Sequence, residues 1–372
     1  MSVSPPLLFL GCNTPWVTEL ARELGKNRPV MAVGNRPIGQ RASGPLIMEQ
    51  RQDVGCFKWK EWSYPAGYAG RFEKVFSQVI ARRVARTAKE LEMRSGFKPL
   101  IVVPYPYILP WLSRVQDLDW IYYNLDDYRL YEPNKIAKVV LQEEELLTRA
   151  RLSLCLAQTQ VERLRLRAKH PNRIRHFPLG VMNHFIQQDP NYPVERSSVV
   201  YIGNMEDRVD WGFVADVARQ CPKLNFYFVG RIAAKSKPRH AWELERANAL
   251  TLPNVISTGP VPQKDIHLWS WKAGVNWMPY KTDHPFNIAC CPTKIMDYMA
   301  SGRPVLSTGV PECKLYPEFI TVKDRASDAI EWLQENAGAP VISDLNLRNV
   351  QFATKNSWTR RAHEFENLLH VM

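Results

Sequence analysis

Short apolar runs of a few residues alternate along the chain with longer segments whose apolar positions recur at helical spacing. That alternation predicts an α/β fold of parallel sheets covered by helices on both faces. In the first half the runs are Leu7–Leu10, Pro29–Val33, Leu100–Val103, Trp120–Tyr123, Leu152–Leu156 and Ile174–Phe177. In the second half they are Val199–Ile202, Phe226–Val229, Val255–Ser257, Gly274–Met278, Val305–Ser307 and Phe319–Val322. They are mostly apolar on both faces, as buried parallel strands should be. Between the two sets lies the polar, proline-bearing stretch FPLGVMNHFIQQDPNYPVERSS, which has no sustained helical period and is read as a linker. The expected division is a first domain at 1–180, a linker at 181–197, a second domain at 198–345, and a C-terminal helix at 346–372 packing back on the first domain. Helices are expected over Ala326–Asn336 and Leu345–Leu369. Two doubly wound domains facing a central cleft would bind ligands outside the carboxyl ends of their strands, so the loops after strands hold the candidate chemistry.

Composition narrows the class. The 372 residues suffice for two domains, and 45% hydrophobic with 23% charged residues is ordinary globular usage that sets aside disordered and coiled-coil readings. No apolar run approaches the ~18 residues of a membrane span, and the opening MSVSPPLLFLG has no basic residue before its short apolar stretch. The expectation is neither a span nor a signal peptide. Seven cysteines without a C-x-x-C pair suit a reducing cytoplasm. A net charge of +12 favours anionic partners: nucleic acid, acidic lipid or a phosphorylated substrate.

One segment makes the charge specific. Pro279–Glu312, PYKTDHPFNIACCPTKIMDYMASGRPVLSTGVPE, reads as loop, helix and strand, with the helix opening at Thr293. A helix N-terminus presents free N–H groups and about half a positive charge, a seat for phosphate to which Lys294 adds an ammonium. Asp297, one turn on, has a carboxylate suited to a ribose diol. An exposed i,i+3 ion pair is the plainer reading of Lys294 and Asp297 taken alone.

The run P-x-K-x-x-D-Y-M-A-x-G-x-P-V-x-S-T over 292–308 resembles the nucleotide-sugar-binding motif of GT-B glycosyltransferases, of the bacterial polysaccharide and cell-wall, group 1 or glucuronosyltransferase-like kind. Residues 201–230, YIGNMEDRVDWGFVADVARQCPKLNFYFVG, resemble the start of that family's donor-binding domain. Residues 252–280 resemble its base-binding loop and the strand that follows, ending at Tyr280. FPLGVMNHF at 177–185 resembles its interdomain segment. The resemblance implies two Rossmann-like domains, a nucleotide-diphosphate sugar (UDP- or GDP-linked) as donor, and a saccharide or lipid-linked hydroxyl acceptor. It implies that Lys294 contacts the donor phosphates, that Asp297 stands where relatives carry a ribose-binding Glu, and that Thr293, Arg231, Gly203 and Tyr280 belong to the donor site. Ala289 stands where retaining relatives carry a second Glu, so an inverting transfer is expected.

In IYYNLDDYRLY, residues 121–131, a strand ends in Asp126 and Asp127, well placed for acid/base work. Asp127 best matches the resembled family's catalytic aspartate and is expected to be the general base, with Asp126 orienting a neighbour. The alternative is an acid capping a turn and paired with Arg129. Arg231 and Arg208 follow strand ends, although Arg208 reads more simply as a surface partner of Asp207 or Glu206. In the loop GCNTPW, Asn13 and Thr14 are helix-cap candidates that would also approach the cleft.

P-loop, G-x-G-x-x-G, H-E-x-x-H and G-x-S-x-G motifs are missing, which leaves NTPase, dinucleotide, zincin and serine-hydrolase readings without carriers. Asp117-Leu118-Asp119 runs into a strand and is read as a turn, so no metal or cofactor is expected. Arg71–Lys98 has eight basic residues against three Glu, with Phe72, Phe76, Val79, Val84 and Leu91 near helical spacing. With the aromatics Phe57, Trp59, Trp62, Tyr64 and Tyr68, and a second basic cluster at 161–175, it suggests a cytoplasmic protein peripheral on an anionic membrane surface. A core-packed helix with a solvated basic face explains the same segment. Nucleic-acid binding lacks a supporting motif and is not expected, while a sugar-nucleotide epimerase on the same fold stays open as the alternative enzyme.

Overall fold

A computed structural model describes residues 4–40, 51–68, 70–131, 133–187, 189, 192–232, 240–337 and 344–370. The chain forms two compact units, Met1–Leu179 with Trp358–Met372, and Gly180–Ser357.

In the first unit the chain runs β1 (Leu7–Phe9), α1 (Pro15–Leu24), β2 (Val30–Pro37), β3 (Phe57–Tyr64), α2 (Glu73–Ser95), β4 (Leu100–Val103), β5 (Trp120–Asn124), α3 (Ile136–Arg149), β6 (Ala150–Cys155), α4 (Gln158–Arg165) and β7 (Ile174–His176). Its seven strands lie in the order β3-β2-β1-β4-β5-β6-β7, every pairing parallel. The chain winds outward from β1 through β2 to β3 and then returns to β4 on the other side of β1. The loops after β1 and β4 therefore diverge and leave a crevice at their carboxyl ends. Leu7, Leu8, Ile101, Val102, Ile121 and Tyr122 are fully buried at the centre.

One strand differs from expectation. FKWKEWSY, not among the expected strands, is the edge strand β3, in register with β2 from Val30↔Phe57 to Pro37↔Tyr64. Phe57, Trp62 and Tyr64 are buried while Lys58 and Ser63 are exposed. The consecutive Trp59, Lys60 and Glu61, all part-exposed, break the period-2 signal, and lysines on an edge discourage pairing with another chain.

The second unit runs β8 (Glu195–Ile202), α5 (Trp211–Gln220), β9 (Asn225–Val229), α6 (Ala241–Ala249), β10 (Val255–Gly259), α7 (Ile266–Lys272), β11 (Ala273–Met278), α8 (Pro285–Ala289), α9 (Lys294–Ala300), β12 (Val305–Ser307), β13 (Thr321–Val322), α10 (Ala326–Asn336) and α11 (Asp344–Lys355). Its parallel sheet has the order β10-β9-β8-β11-β12-β13. The expected run Phe319–Val322 narrows to the two-residue β13. Residues 181–187 and 192–194 of the expected linker belong to this unit, and 188, 190 and 191 lie outside the described residues. Val181 donates to the Asn356 carbonyl and bridges Ser357 in parallel.

The long helix expected over 345–369 is two helices, α11 and α12 (Trp358–His370), broken at Asn356-Ser357. This break is also the boundary between units, twelve residues beyond the expected one, because α11 packs on α9 whereas α12 packs on α1. In α12, Phe365 is fully buried between Phe9 and Phe177, with ring centroids 6.4 and 6.3 Å away. Arg28 donates to the Glu366 carboxylate at 2.7 Å, and the Thr359 hydroxyl donates to Glu23 at 2.9 Å. We expect Phe365→Ala to destabilise the first unit by about 3–5 kcal/mol, the usual cost of truncating a core phenylalanine, read from urea unfolding.

Candidate active site

The second unit gathers the sequence-predicted donor residues around two strand ends. β8 ends beside Gly203 and β9 beside Gly230, whose φ angles of +151° and +153° lie where L side chains rarely sit. Gly203 N–H donates to the Val229 carbonyl at 2.8 Å. A Cβ on Gly230 would fall 2.1 Å from the Gly203 carbonyl oxygen, so the two turns meet backbone to backbone and admit only glycine there. A Cβ on Gly203 would lie 2.9 Å from Lys294 Nζ and 3.0 Å from the Tyr201 hydroxyl. The lysine from α9 thus reaches the turn after β8.

Its ammonium lies 5.3 Å from the centre of the Tyr201 ring and 5.6 Å from that of Tyr280. Two ring quadrupoles hold a cation in place without neutralising it. Among the described residues no carboxylate forms an ion pair with Lys294. The Tyr298 hydroxyl accepts from Ile202 N–H at 2.8 Å and ties α9 to the end of β8.

Thr293 occupies the cap position of α9 in a helical conformation, and its side chain makes no capping bond. With only seven residues, α9 contributes less through its peptide dipoles than through Lys294, so the expected emphasis on the helix tip moves to the ammonium. Asp297, part-buried one turn on, has its carboxyl pushed up to about 7 by burial, with Lys294 pulling it down. It is therefore not the exposed ion-pair acid of the plainer reading.

Arg208 was read as a surface partner of its neighbours, but its Nε donates to Asn287 Oδ1 at 2.8 Å and its Nη2 lies 2.9 Å from Cys290 Sγ. Asn287 in turn donates to the carbonyls of Arg208 and Lys281, both at 2.9 Å. The guanidinium sits 5.8 Å from the Tyr280 ring centre. Sequence reasoning had no signal for a partner 79 residues away. Arg231 is exposed; its carbonyl accepts from Met205 N–H at 3.0 Å, which keeps the turns after β8 and β9 together.

A separate cavity of about 510 Å³ opens within the first unit at the crevice between β1 and β4. Asn13, Thr14 and Asp126 line it, together with Tyr105, Tyr107, Tyr131 and Trp111. Asn13 Oδ1 accepts from Asn35 N–H at 3.0 Å, and Thr14 holds the cap position of α1 without a side-chain capping bond. Asp126 accepts from the Tyr131 hydroxyl at 2.7 Å and from Asp127 N–H at 2.9 Å. The aromatic lining was missed, although PYPYILPW directly after β4 is an aromatic cluster at a strand end.

Asp127 is not among the lining residues. Its carboxylate is 2% exposed and accepts from Arg129 Nε at 2.8 Å and Nη2 at 2.5 Å, while Arg163 stands 3.8 Å away. Burial pushes its carboxyl up, but the Arg129 hydrogen bond and the charges of Arg163 and Arg129 outweigh that and hold it below the usual carboxylate range. It also caps the turn at Tyr128–Leu130 through Arg129 N–H. The alternative given above for this residue is the one its contacts match. Arg163 itself is bound to Glu143 at 2.7 Å, so the basic cluster at 161–175 is partly spent internally.

Comparison with known proteins shows what the chain is similar to. Residues 196–334 match the sequence pattern of Glycosyl transferases group 1. That match covers less than half of the chain and lies within the second unit. A curated relative from Bacillus subtilis (strain 168), TuaH, named for teichuronic acid biosynthesis, is 32% identical over 111 residues, 30% of this chain and 26% of its own length. The matched part thus spans about a quarter of that relative. Solved structures extend the likeness of fold beyond the group 1 segment. Anabaena HepE bound to UDP and glucose has TM-score 0.69 at 11% identity, covering 98% of this chain and 99% of its own. Sucrose-phosphate synthase from Thermosynechococcus elongatus has TM-score 0.67 at 15% identity, covering 99% and 98%. At these identities the likeness is one of GT-B fold, with the two parallel sheets seen here.

We expect Asp127→Asn to destabilise the first unit by about 1–2 kcal/mol, because it removes a charge-assisted acceptor from the part-buried Arg129 and Arg163. A depressed carboxyl stabilises the fold above its unfolded value, about 3.9, and that contribution disappears as pH falls through its folded value. The difference between wild type and variant should therefore shrink on acidification below about pH 4, as urea titrations at graded pH will measure.

Proposed function

We propose that this protein transfers a sugar from a nucleotide-diphosphate donor to a hydroxyl acceptor. The observation that carries the reading is the Lys294 ammonium, held on Tyr201 and Tyr280 against the glycine turn after β8, within the group 1 segment. In the reaction the acceptor oxygen attacks the anomeric carbon, the bond from that carbon to the β-phosphate oxygen breaks, and the diphosphate leaves with additional negative charge. Lys294 stabilises that charge, and Arg208 and Arg231 lie on adjoining loops to assist. Asp297 accepts from the ribose hydroxyls. Solved relatives in complex with UDP and with UDP-glucose support a uridine-linked donor ahead of a guanosine-linked one.

The proton of the acceptor hydroxyl needs a base, and Asp126 is the better candidate because it is a cavity-lining residue whereas the carboxylate of Asp127 is committed to arginines. An inverting course remains our reading, and it stands on Ala289 at the position noted above. A required metal is not part of the proposal, so transfer should survive EDTA unchanged.

The acceptor is a saccharide, lipid-linked or on a surface polysaccharide. In support of a peripheral membrane site on the cytoplasmic face, α2 presents Val75 and Val79, and Phe72 just before it, 67%, 39% and 46% exposed, among Lys74, Arg82 and Arg86. The apolar residues first read as one stripe divide, since Val84 and Leu91 face the core. No helix among the described residues is long and apolar enough to cross a membrane.

Lys294→Ala should weaken UDP binding at least ~10-fold in calorimetry, the loss of a charge-assisted phosphate contact of about 1.5–3 kcal/mol; unchanged affinity would end the assignment. UDP affinity should also strengthen as pH rises through about 7, where Asp297 ionises and accepts from the ribose diol. That step should be missing in Asp297→Asn.

A further inference from the structure

The turn after β8 is fastened by its carbonyls. The Tyr201 hydroxyl donates to that of Asn204 at 3.0 Å, Trp211 Nε1 to that of Glu206 at 3.0 Å, and Asn287 Nδ2 to that of Arg208 at 2.9 Å. These donors are neutral. The Met205 carbonyl is the exception, since Arg246 Nη1, from α6, donates to it at 2.6 Å. Met205 is fully buried and Arg246 is 8% exposed, so a unit charge has been taken out of water to serve one carbonyl.

That charge has no counter-ion within the chain. Among the described residues no carboxylate forms an ion pair with Arg246, and its other neighbour is the Trp242 ring, with the guanidinium carbon 5.0 Å from the ring centre. Glu243, one turn earlier on α6, accepts from His240 N–H at 3.0 Å and caps the helix. A guanidinium does not shed its proton to relieve the cost of burial. A neutral donor would satisfy the carbonyl without that cost, as it does for Asn204, Glu206 and Arg208. Nor is Arg246 needed merely to hold Met205, whose N–H donates to the Arg231 carbonyl at 3.0 Å and whose Sδ accepts from Ser257 Oγ at 3.7 Å. A buried cation kept on these terms suits an anion that arrives from outside the protein.

The Met205 carbonyl and the Glu206 N–H are opposite edges of one trans peptide. The Arg246 charge polarises that peptide, and Glu206 N–H, for which the described residues supply no acceptor, leaves the edge away from Arg246. The same turn begins at Gly203, against which the Lys294 ammonium lies.

We propose that Arg246 is a positioning residue of the donor site, a buried charge whose counter-ion is the diphosphate of the bound donor, acting across the Met205–Glu206 peptide. The inference rests on the transfer reading and adds to it a residue that acts through the turn without touching the ligand.

The test is calorimetry of the full chain with UDP and GDP, and ligand-observed NMR with uridine and guanosine, on wild type, Arg246→Lys, Arg246→Gln and Arg246→Met. We expect affinity for the nucleotide diphosphate to fall about 5-fold or more in Arg246→Met and Arg246→Gln, the scale of one charge acting through protein, and to be largely kept in Arg246→Lys. Nucleoside binding should be alike in all four. Melting curves of the ligand-free variants check the fold; should Arg246→Met not fold, Arg246→Gln read against Arg246→Lys carries the comparison. The proposal is overturned if the neutral variants bind the diphosphate as wild type does, if they lose nucleoside binding in equal proportion, or if Arg246→Lys is as weak as they are. Diphosphate binding that Lys294→Ala weakens and Arg246→Met leaves unchanged overturns this assignment alone. A wild type that binds neither UDP nor GDP overturns the transfer reading, and this inference with it.

Discussion

The donor-side architecture depends on a backbone contact that no side chain makes. Gly230 approaches the Gly203 carbonyl so closely that a single added carbon would stand 2.1 Å from the oxygen. That approach brings the turns after two neighbouring strands together and leaves room for the Lys294 ammonium over the first of them. Removing side chains from a strand end costs packing and backbone entropy, and such glycines are placed where a cation or a ligand must come near the main chain. The cation is then kept available by the choice of its partners. Aromatic rings attract an ammonium without cancelling its charge, whereas a carboxylate at ion-pair distance would have occupied it.

The two acidic neighbours at the end of β5 show the converse. They are adjacent in sequence and alike in chemistry, yet one turns into a bidentate arginine contact and the other faces a cavity. Burial by itself would raise the Asp127 carboxyl, and the guanidinium groups pull it the other way. A buried acid so compensated holds a loop in place and is a poor proton acceptor. Asp126 accepts from a tyrosine hydroxyl and a backbone amide.

The first unit also shows how topology makes a site without a motif. Reversal of winding direction between β1 and β4 opens a crevice in any doubly wound sheet, and here the loop after β4 fills its wall with tyrosines. The C-terminal helix α12 closes the opposite concern, core coverage, by burying Phe365 among rings of the first unit. The chain therefore begins and ends its described part in one unit while the whole second unit lies between.

Much of this was legible from the sequence. Parallel strands buried on both faces require unbroken apolar runs, so the central strands of both sheets, the α/β class and the special character of 292–308 could be read directly. The edge strand β3 could not, since an edge is half solvated and Trp59, Lys60 and Glu61 blur its alternation; the helix break at Asn356-Ser357 was hidden because both flanks are good helix formers. Side-chain partnership was the other gap. Whether Asp126 or Asp127 meets the cavity, where Arg208 points, and how Tyr105 and Tyr107 pair are decided by residues distant in sequence or by a few degrees of backbone in a loop. Hydrophobic periodicity reports which face is dry, and only the folded chain determines which polar groups come within hydrogen-bonding reach.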